Sequence, residues 1–219
     1  MTIADEIRCR GIGEVLHFTT NRGIVGTLAS QALLSRHRLP REKYLQHVLH
    51  VNSAVRPEAA DFFDKSQNWL DYVNLSISEI NNRYFAVSQR WHVNDDVWWG
   101  ILSFDAEVMT HDGVVFATTN NGYERCLRQA GTDGLNALFT PTIRRKESWR
   151  AIRGNRPPNL PTCEQAEVLY PGELSTEFLR RIYVREDDHH DQARGWLREF
   201  GLREVEVVIS PNKFLGRPN

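Results

Sequence analysis

The pentapeptide AEVLY, residues 166–170, is followed by Pro171-Gly172 and carries one carboxylate among apolar side chains. Its β-prone composition and the Pro-Gly pair predict a strand closed by a turn. Because side chains alternate between the two faces of a strand, Glu167 shares a face with Leu169. We expect Glu167 to be partly exposed. A carboxylate in that position is either solvated or functional, and alternation alone leaves both interpretations open.

Further strands and a few helices are predicted on both sides of this stretch. Short apolar runs predict strands at residues 15–19, 71–77, 97–104, 114–118, 181–184 and 205–209. Helices are expected after Thr20 or Asn21, over residues 83–91 and over residues 191–200. Strands outnumber helices without regular alternation, and no repeat or boundary divides residues 1–219. The pattern predicts one α+β domain.

Composition excludes several classes of protein. The chain has 219 residues, a formal net charge of −1, 41% hydrophobic and 25% charged residues, which is ordinary for a soluble globular protein. No apolar run approaches the length of a membrane span, and the first residues lack the features of a secretory signal. Three widely spaced cysteines predict neither a disulfide framework nor a zinc site. We expect a cytoplasmic monomer without membrane contact.

Two charged segments invite a functional interpretation. His189-His190 lies among aspartates and could mimic a metal site, but an acid-rich helix N-terminus explains it better, so no metal is expected. The second segment holds one acidic residue, Glu147, and six basic residues: Arg144, Arg145, Lys146, Arg150, Arg153 and Arg156. It leads into a Pro- and Asn-rich stretch, and residues 144–163 are predicted to form a long loop. This segment is either a solvated loop or follows a phosphate backbone.

The chain has no GxSxG, HExxH, P-loop or GxGxxG signature. Enzymes that split the glycosidic bond of NAD⁺ do not require a GxGxxG fold. They need polar groups for the nicotinamide end, a cation for the diphosphate and a carboxylate near the ribose, where positive charge develops as nicotinamide leaves.

Three places in the chain meet those needs in order. The first is His17-Phe18-Thr19, which precedes a predicted helix and Leu33-Leu34-Ser35. The second is Arg56, upstream of Asp71-Tyr72-Val73, and the third is the strand that carries Glu167. Over residues 14–214 this arrangement resembles the DarT family of single-stranded-DNA ADP-ribosyltransferase toxins.

The resemblance implies a split, mostly antiparallel β core with surrounding helices, and NAD⁺ as co-substrate between the His17 and Glu167 strands. It implies that Glu167 and Arg56 are catalytic and that Arg56 also holds the diphosphate. The remaining cofactor contacts would come from His17, Thr19, Asn21 and Leu28. Asn21 would replace the family's helix-leading Asn, because Gly23 stands at that position.

The resemblance also implies partners. Single-stranded DNA would be gripped by Arg144, Arg145, Lys146, Arg150 and Arg153, with Trp149 as a stacking surface. The cognate antitoxin would be a DNA ADP-ribosylglycohydrolase. Transfer to thymidine, RNA or protein, and an inactive nucleic-acid-binding module, remain alternatives.

The continuation of the strand at residues 71–77 bears on the target base. The family's thymidine-modifying branch has a Pro-Arg-Ser-Pro element after Asp-Tyr-Val, whereas this chain continues Asn74-Leu75-Ser76-Ile77. That continuation is more similar to the guanosine-modifying branch. The candidates for reading the base are Asn74, Ser76, Ser78 and Asn81. A plain structural strand and turn is the equal alternative.

Overall fold

The computed structural model describes residues 1–39, 71–91, 96–147 and 149–219. The helices of these parts of the chain are α1 (Ile3–Arg10), α2 (Asn21–Ser30), α3 (Asn82–Trp91), α4 (Gly131–Ala137) and α5 (Asp187–Glu199). Short 3₁₀ helices cover Ala106–Thr110, Thr176–Phe178 and Pro211–Phe214. The strands are β1 (Glu14–Thr20), β2 (Ala32–Leu34), β3 (Tyr72–Ile77), β4 (Trp99–Asp105), β5 (Val115–Ala117), β6 (Arg128–Ala130), β7 (Thr142–Arg144), β8 (Arg150–Ile152), β9 (Glu167–Pro171), β10 (Glu173–Ser175), β11 (Leu179–Val184) and β12 (Glu206–Ile209).

Eight of these strands form one sheet in the order β12-β11-β4-β1-β3-β9-β5-β6. Only β11 and β12 are parallel among the described pairs of this sheet, and the others are antiparallel. Two small pairs, β2 with β10 and β7 with β8, lie outside it. The predicted α+β class with a mostly antiparallel sheet is confirmed.

The sheet is held together at its centre by a very short pairing. Strand β1 pairs with β4 along all seven of its residues, but with β3 only at Val15–Ile77 and Leu16–Ser76. Beyond those two pairs β3 pairs with β9 instead, from Tyr72 to Leu75. Strands β1 and β3 therefore separate after Leu16, and the separation divides the sheet into two halves. We call this gap the split.

Local sequence explains why β1 turns into α2 beside the split. Thr20 is the N-cap, and its side chain accepts a hydrogen bond from the Gly23 amide at 3.3 Å. One face of α2 buries Ile24 and Leu28 in the main core. This burial fixes α2 against the sheet, so the end of β1 is held rigidly.

The structure corrects two predicted segments. Residues 144–163 are not one long loop, because β7 and β8 pair from Thr142–Ile152 to Arg144–Arg150 and form a hairpin. We call residues 142–152 the basic hairpin. The last helix begins at Asp187 instead of residue 191, with Asp187 and Asp188 in its first turn, where acids favour the helix dipole.

A partly buried ion pair connects the start of β1 to the last 3₁₀ helix. The Lys213 Nζ lies 2.6 Å from Glu14 Oε1, and Ser103 and Tyr183 donate to Glu14 Oε2. Burial raises the pKa of Glu14, but these three hydrogen bonds outweigh it and hold that pKa below its ordinary value. The ionised carboxylate therefore contributes stability above about pH 4.3, the unfolded value, and loses it as pH falls through the lower folded value.

We expect Lys213→Met to lower the free energy of unfolding by about 2 kcal/mol at pH 7, because Glu14 is left as a partly buried charge without its cation. The difference from wild type should shrink as the pH falls below 4, since protonation of Glu14 removes that charge. Urea unfolding at the two pH values measures both effects. Adding Glu14→Gln to Lys213→Met should recover part of the loss, and an unchanged midpoint in the single variant would contradict this account.

Candidate active site

His17 lies on β1 just past the last β1–β3 pair, at the mouth of the split. Its Nδ1 is 3.0 Å from the carbonyl oxygen of Asn74 on β3. Burial lowers the pKa of His17, and the hydrogen bond to Asn74 opposes that shift only in part. The ring is therefore neutral at pH 7. Because a carbonyl only accepts, the proton lies on Nδ1, and Nε2 is left as an acceptor.

Glu167 begins β9 and is only 8% exposed, which corrects the expectation of a partly exposed carboxylate. Its Oε2 accepts a hydrogen bond from the backbone amide of Asn121 at 2.9 Å. A buried carboxylate needs such donors, because desolvation would otherwise penalise its charge. The turn that contains Asn121 therefore belongs to the site.

The register places Glu167 two strands away from β1, on the far side of β3. Val168 pairs with Leu75, so continuing the β3–β9 register places Glu167 opposite Ser76, which in turn pairs with Leu16. Two inter-strand spacings separate Leu16 from Glu167, which is about 10 Å. His17 is the next residue and projects from the other face of β1. His17 and Glu167 therefore project from opposite faces of the sheet, and a ligand that contacts both would have to lie in the split.

The other predicted cofactor residues have different environments. Thr19 is half-buried, and a Cβ at Gly23 would lie 2.0 Å from its Oγ1, so glycine is required there. Asn21 donates from Nδ2 to the Asp96 carbonyl, while its buried Oδ1 has no hydrogen-bond partner among the described residues. Leu28 is fully buried in the core, so it positions α2 and does not face a ligand. Arg56 lies outside the described residues.

The candidates for reading the base separate into two groups. Asn74 is exposed, and Ser76 lies opposite the register position of Glu167, so both project from the same face as that carboxylate. Asn81 instead caps α3, because its Oδ1 accepts from the Tyr84 amide at 3.1 Å. Ser78 has a φ of 60° and makes the turn after β3. The structure thus brings only Asn74 and Ser76 to the split.

Arg145 is fully buried, which corrects its expected place on a DNA-gripping surface. Its guanidinium donates to the Asn219 carbonyl at 2.8 Å and lies 3.6 Å from the buried carboxylate of Glu164. The same guanidinium packs over the Trp149 ring at 4.4 Å. Arg145 therefore anchors the basic hairpin from inside.

Two further basic residues are also anchors. Arg153 donates to the carbonyls of Leu160 and Pro157 at 3.1 and 3.0 Å, and Arg156 donates to the Pro161 carbonyl at 2.6 Å. These bonds hold the Pro-rich stretch that follows the hairpin. Arg153 is thus better explained as a structural residue than as a DNA contact.

Three exposed cations remain on the basic hairpin: Arg144, Lys146 and Arg150. Aromatic rings accompany them, since Lys146 lies 4.9 Å from the Tyr123 ring and the half-buried Trp149 is flanked by Arg83 at 4.9 Å. Positive charge interleaved with aromatic rings is suited to single-stranded nucleic acid.

Sequence reasoning missed Asn121, which contacts Glu167, and Arg128, which holds Asn121. Arg128 Nε donates to Asn121 Oδ1, and its Nη2 donates to the Asn121 carbonyl. No local motif marks these residues, because the turn between β5 and β6 acquires its role only by folding over β9.

The His189-His190 segment has a structural explanation. His189 stacks on Trp98 and pairs with Glu186. Within the described residues, no group of three or more His, Cys, Asp and Glu side chains is arranged to hold a metal ion. None of the helices in those residues is long and apolar enough to cross a bilayer.

Comparison with known sequences gives one family. A family model described as "ssDNA thymidine ADP-ribosyltransferase, DarT" matches residues 16–215. No curated protein sequence matches the chain.

Solved structures share the fold at low sequence identity. Thermus sp. 2.9 DarT in complex with carba-NAD⁺ has a TM-score of 0.63 and 16% identity, covering 92% of this chain and 97% of that one. The same protein in complex with ADP-ribosylated single-stranded DNA has a TM-score of 0.61 and 14% identity, over 93% and 96% of the chains. Thermosipho africanus DarTG in complex with ADP-ribose has a TM-score of 0.54 and 10% identity, covering 94% of this chain and 52% of that one.

Proposed function

The chain belongs to the DarT family of single-stranded-DNA ADP-ribosyltransferases, and from this premise we propose that it transfers ADP-ribose from NAD⁺ to a base of single-stranded DNA, releasing nicotinamide. The observation that carries the proposal is the buried carboxylate of Glu167 on β9, the strand next to β3 and the split, which accepts a hydrogen bond from the Asn121 amide. Thermus DarT, which shares the fold, has been solved with NAD⁺.

NAD⁺ would lie in the split with its nicotinamide end at β1. The Nε2 of His17 is an acceptor, which suits the N–H groups of the carboxamide. Asn21 Oδ1 is buried without a partner among the described residues, so a ligand hydroxyl or amide would satisfy it. Arg56 is proposed as the cation for the diphosphate, because a guanidinium makes bidentate contacts to phosphate oxygens.

Glu167 supplies the charge that the reaction needs. As the bond between C1′ and nicotinamide breaks, positive charge develops on the ribose, and a fixed carboxylate stabilises it. The same carboxylate can accept a proton from the attacking base nitrogen as the new C1′–N bond forms. A positioned general base contributes roughly 10²–10⁴-fold. No metal ion is required for this chemistry.

The DNA strand is proposed to run along the exposed face of the basic hairpin. Arg144, Lys146 and Arg150 would contact phosphates, and Trp149 or Tyr123 would stack on a base. Base–aromatic stacking is worth about 1–3 kcal/mol per base. This energy would help to draw the target base out of its stack and towards Glu167. The cognate partner is proposed to be an antitoxin that removes ADP-ribose from DNA.

We propose guanine as the target base. Asn74 and Ser76 project beside Glu167, and an asparagine amide offers both a donor and an acceptor to the O6 and N1–H of guanine. The exocyclic N2 would then attack C1′. Thymine presents N3–H between two carbonyls, so a pocket that matches guanine would leave polar groups unpaired against thymine.

Four oligonucleotides that each contain one G, T, A or C in a homopolymer context test this choice. We expect NAD⁺-dependent addition of ADP-ribose to the G-containing strand, measured by mass spectrometry. Asn74→Ala should lower that modification more than it lowers NAD⁺ hydrolysis, because it removes a contact to the base and none to NAD⁺. Modification of the T-containing strand alone would assign the chain to the thymidine-modifying branch.

A further inference from the structure

Strand β6 begins with an arginine, Arg128, that lies in the same row of paired residues across the sheet as Glu167. Ala117 pairs with Arg128 on one side and with Glu167 on the other. Residues that pair directly across antiparallel strands project from the same face. Arg128 and Glu167 therefore project from one face with a small alanine between them. Their backbones are two inter-strand spacings apart across the sheet, which is about 10 Å. That gap is large enough for a turn to cross above Ala117.

The turn that crosses the gap is held by Arg128. Its Nε and Nη2 donate to the side-chain and main-chain oxygens of Asn121, and its Nη1 donates to the Cys126 carbonyl at 3.1 Å. The backbone amide of the same Asn121 donates to Glu167 Oε2 at 2.9 Å. One arginine thus fixes the residue whose amide contacts the proposed catalytic carboxylate.

The same turn contains a buried thiol, that of Cys126. Burial raises the pKa of Cys126 to about 11, with the negative charge of Glu167 adding to the rise and the positive charge of Arg128 opposing it. The thiol is therefore neutral at pH 7 and acts as a packing group.

We propose that Arg128 is a positioning residue that acts through Asn121 to aim the Glu167 carboxylate into the split. The inference rests on the proposed function, since it assigns a task to the same site. A misplacement of about 1 Å can cost 10²-fold in rate, so loss of the arginine should slow the reaction by releasing Asn121 and, with it, the Glu167 carboxylate.

The test is steady-state release of nicotinamide from NAD⁺ by Arg128→Ala, normalised to folded protein by circular dichroism at the assay temperature. We expect kcat to fall by about 10- to 100-fold while KM for NAD⁺ changes by less than about 2-fold. Guanidinium at millimolar concentration should restore part of kcat in this variant, whereas sodium at the same ionic strength should not. Arg128→Lys should have a kcat between those of the wild type and Arg128→Ala, because lysine keeps the positive charge but lacks the planar guanidinium that donates several hydrogen bonds at once.

Arg10→Ala is the matched control, since Arg10 also donates to an asparagine side chain, Asn136, but at α4 and away from Glu167. It should keep kcat within about 2-fold of wild type. If Arg128→Ala fails to fold, Asn121→Ala takes its place, because it removes the acceptor of Arg128 Nε and should lower kcat in the same sense.

Three results would overturn the inference. The first is an unchanged kcat in folded Arg128→Ala, and the second is a rise in its KM for NAD⁺ at constant kcat. The third is a loss of kcat in Arg10→Ala equal to that in Arg128→Ala. If the wild type turns over NAD⁺ and Arg128→Ala has the same kcat, the inference is overturned and the proposed function stands. Absence of NAD⁺ turnover by the wild type overturns the proposed function and the inference with it.

Discussion

Replacing Glu167 by glutamine is expected to lower kcat/KM for ADP-ribose transfer at least about 100-fold and to leave the fold intact. Glutamine keeps an oxygen that accepts from the Asn121 amide, so the local packing survives. It has no negative charge to stabilise the ribose cation and no basicity to take the proton of the attacking nitrogen. Nicotinamide release and the DNA adduct should both disappear.

Glu206→Gln serves as the control, because Glu206 is an exposed strand carboxylate at the far edge of the same sheet. It should retain full activity. A folded Glu167→Gln protein with activity near that of the control would remove Glu167 from the mechanism. Thermal unfolding of all three proteins establishes that the comparison is made between folded molecules.

Reversing the three exposed cations of the basic hairpin should separate DNA modification from NAD⁺ chemistry. We expect the variant Arg144→Glu, Lys146→Glu, Arg150→Glu to modify single-stranded DNA at least about 10-fold more slowly at low salt and to hydrolyse NAD⁺ at the wild-type rate. Each lost phosphate contact should also reduce the slope of log K against log salt concentration by about 0.7. Arg145 is excluded from this set, because its burial makes it a folding residue.

The control for charge reversal is a set of exposed arginines elsewhere on the protein: Arg8, Arg198 and Arg203. Reversing these changes the net charge by the same amount and should leave DNA modification within about 2-fold. Equal losses of both activities in the hairpin variant would mean that the hairpin is structural or binds NAD⁺. Equal losses of DNA modification in the two variants would mean that net charge matters and position does not.

Local patterns predicted most strands, because alternation and turn residues are properties of short segments. They predicted β1, β3 and β9 within one or two residues. Helix α1 was missed although its capping box, Thr2 with Asp5, is visible in the sequence. The split could not be predicted, since a two-residue pairing between β1 and β3 depends on how distant strands meet.

Burial of charged residues was also beyond local patterns. Arg145 sits between two other basic residues and looks like them, and its partners Glu164 and Asn219 are 19 and 74 positions away. Glu167 was expected to be partly exposed, because the alternation of side chains along a strand carries no information about what packs on either face. The turn at Asn121, 46 positions away, is what covers it.

The most direct test of the central claim is mass spectrometry of matched acceptors incubated with NAD⁺ and the protein. Separate reactions contain a single-stranded oligodeoxynucleotide of all four bases, its duplex, the RNA of the same sequence and a denatured protein. We expect the ADP-ribose mass increment on the single-stranded DNA, strongly reduced in the duplex because pairing and stacking hide the base edge, and nicotinamide released in proportion. Adducts on RNA or protein without any on DNA, or no adduct and no nicotinamide from folded protein, would contradict the account.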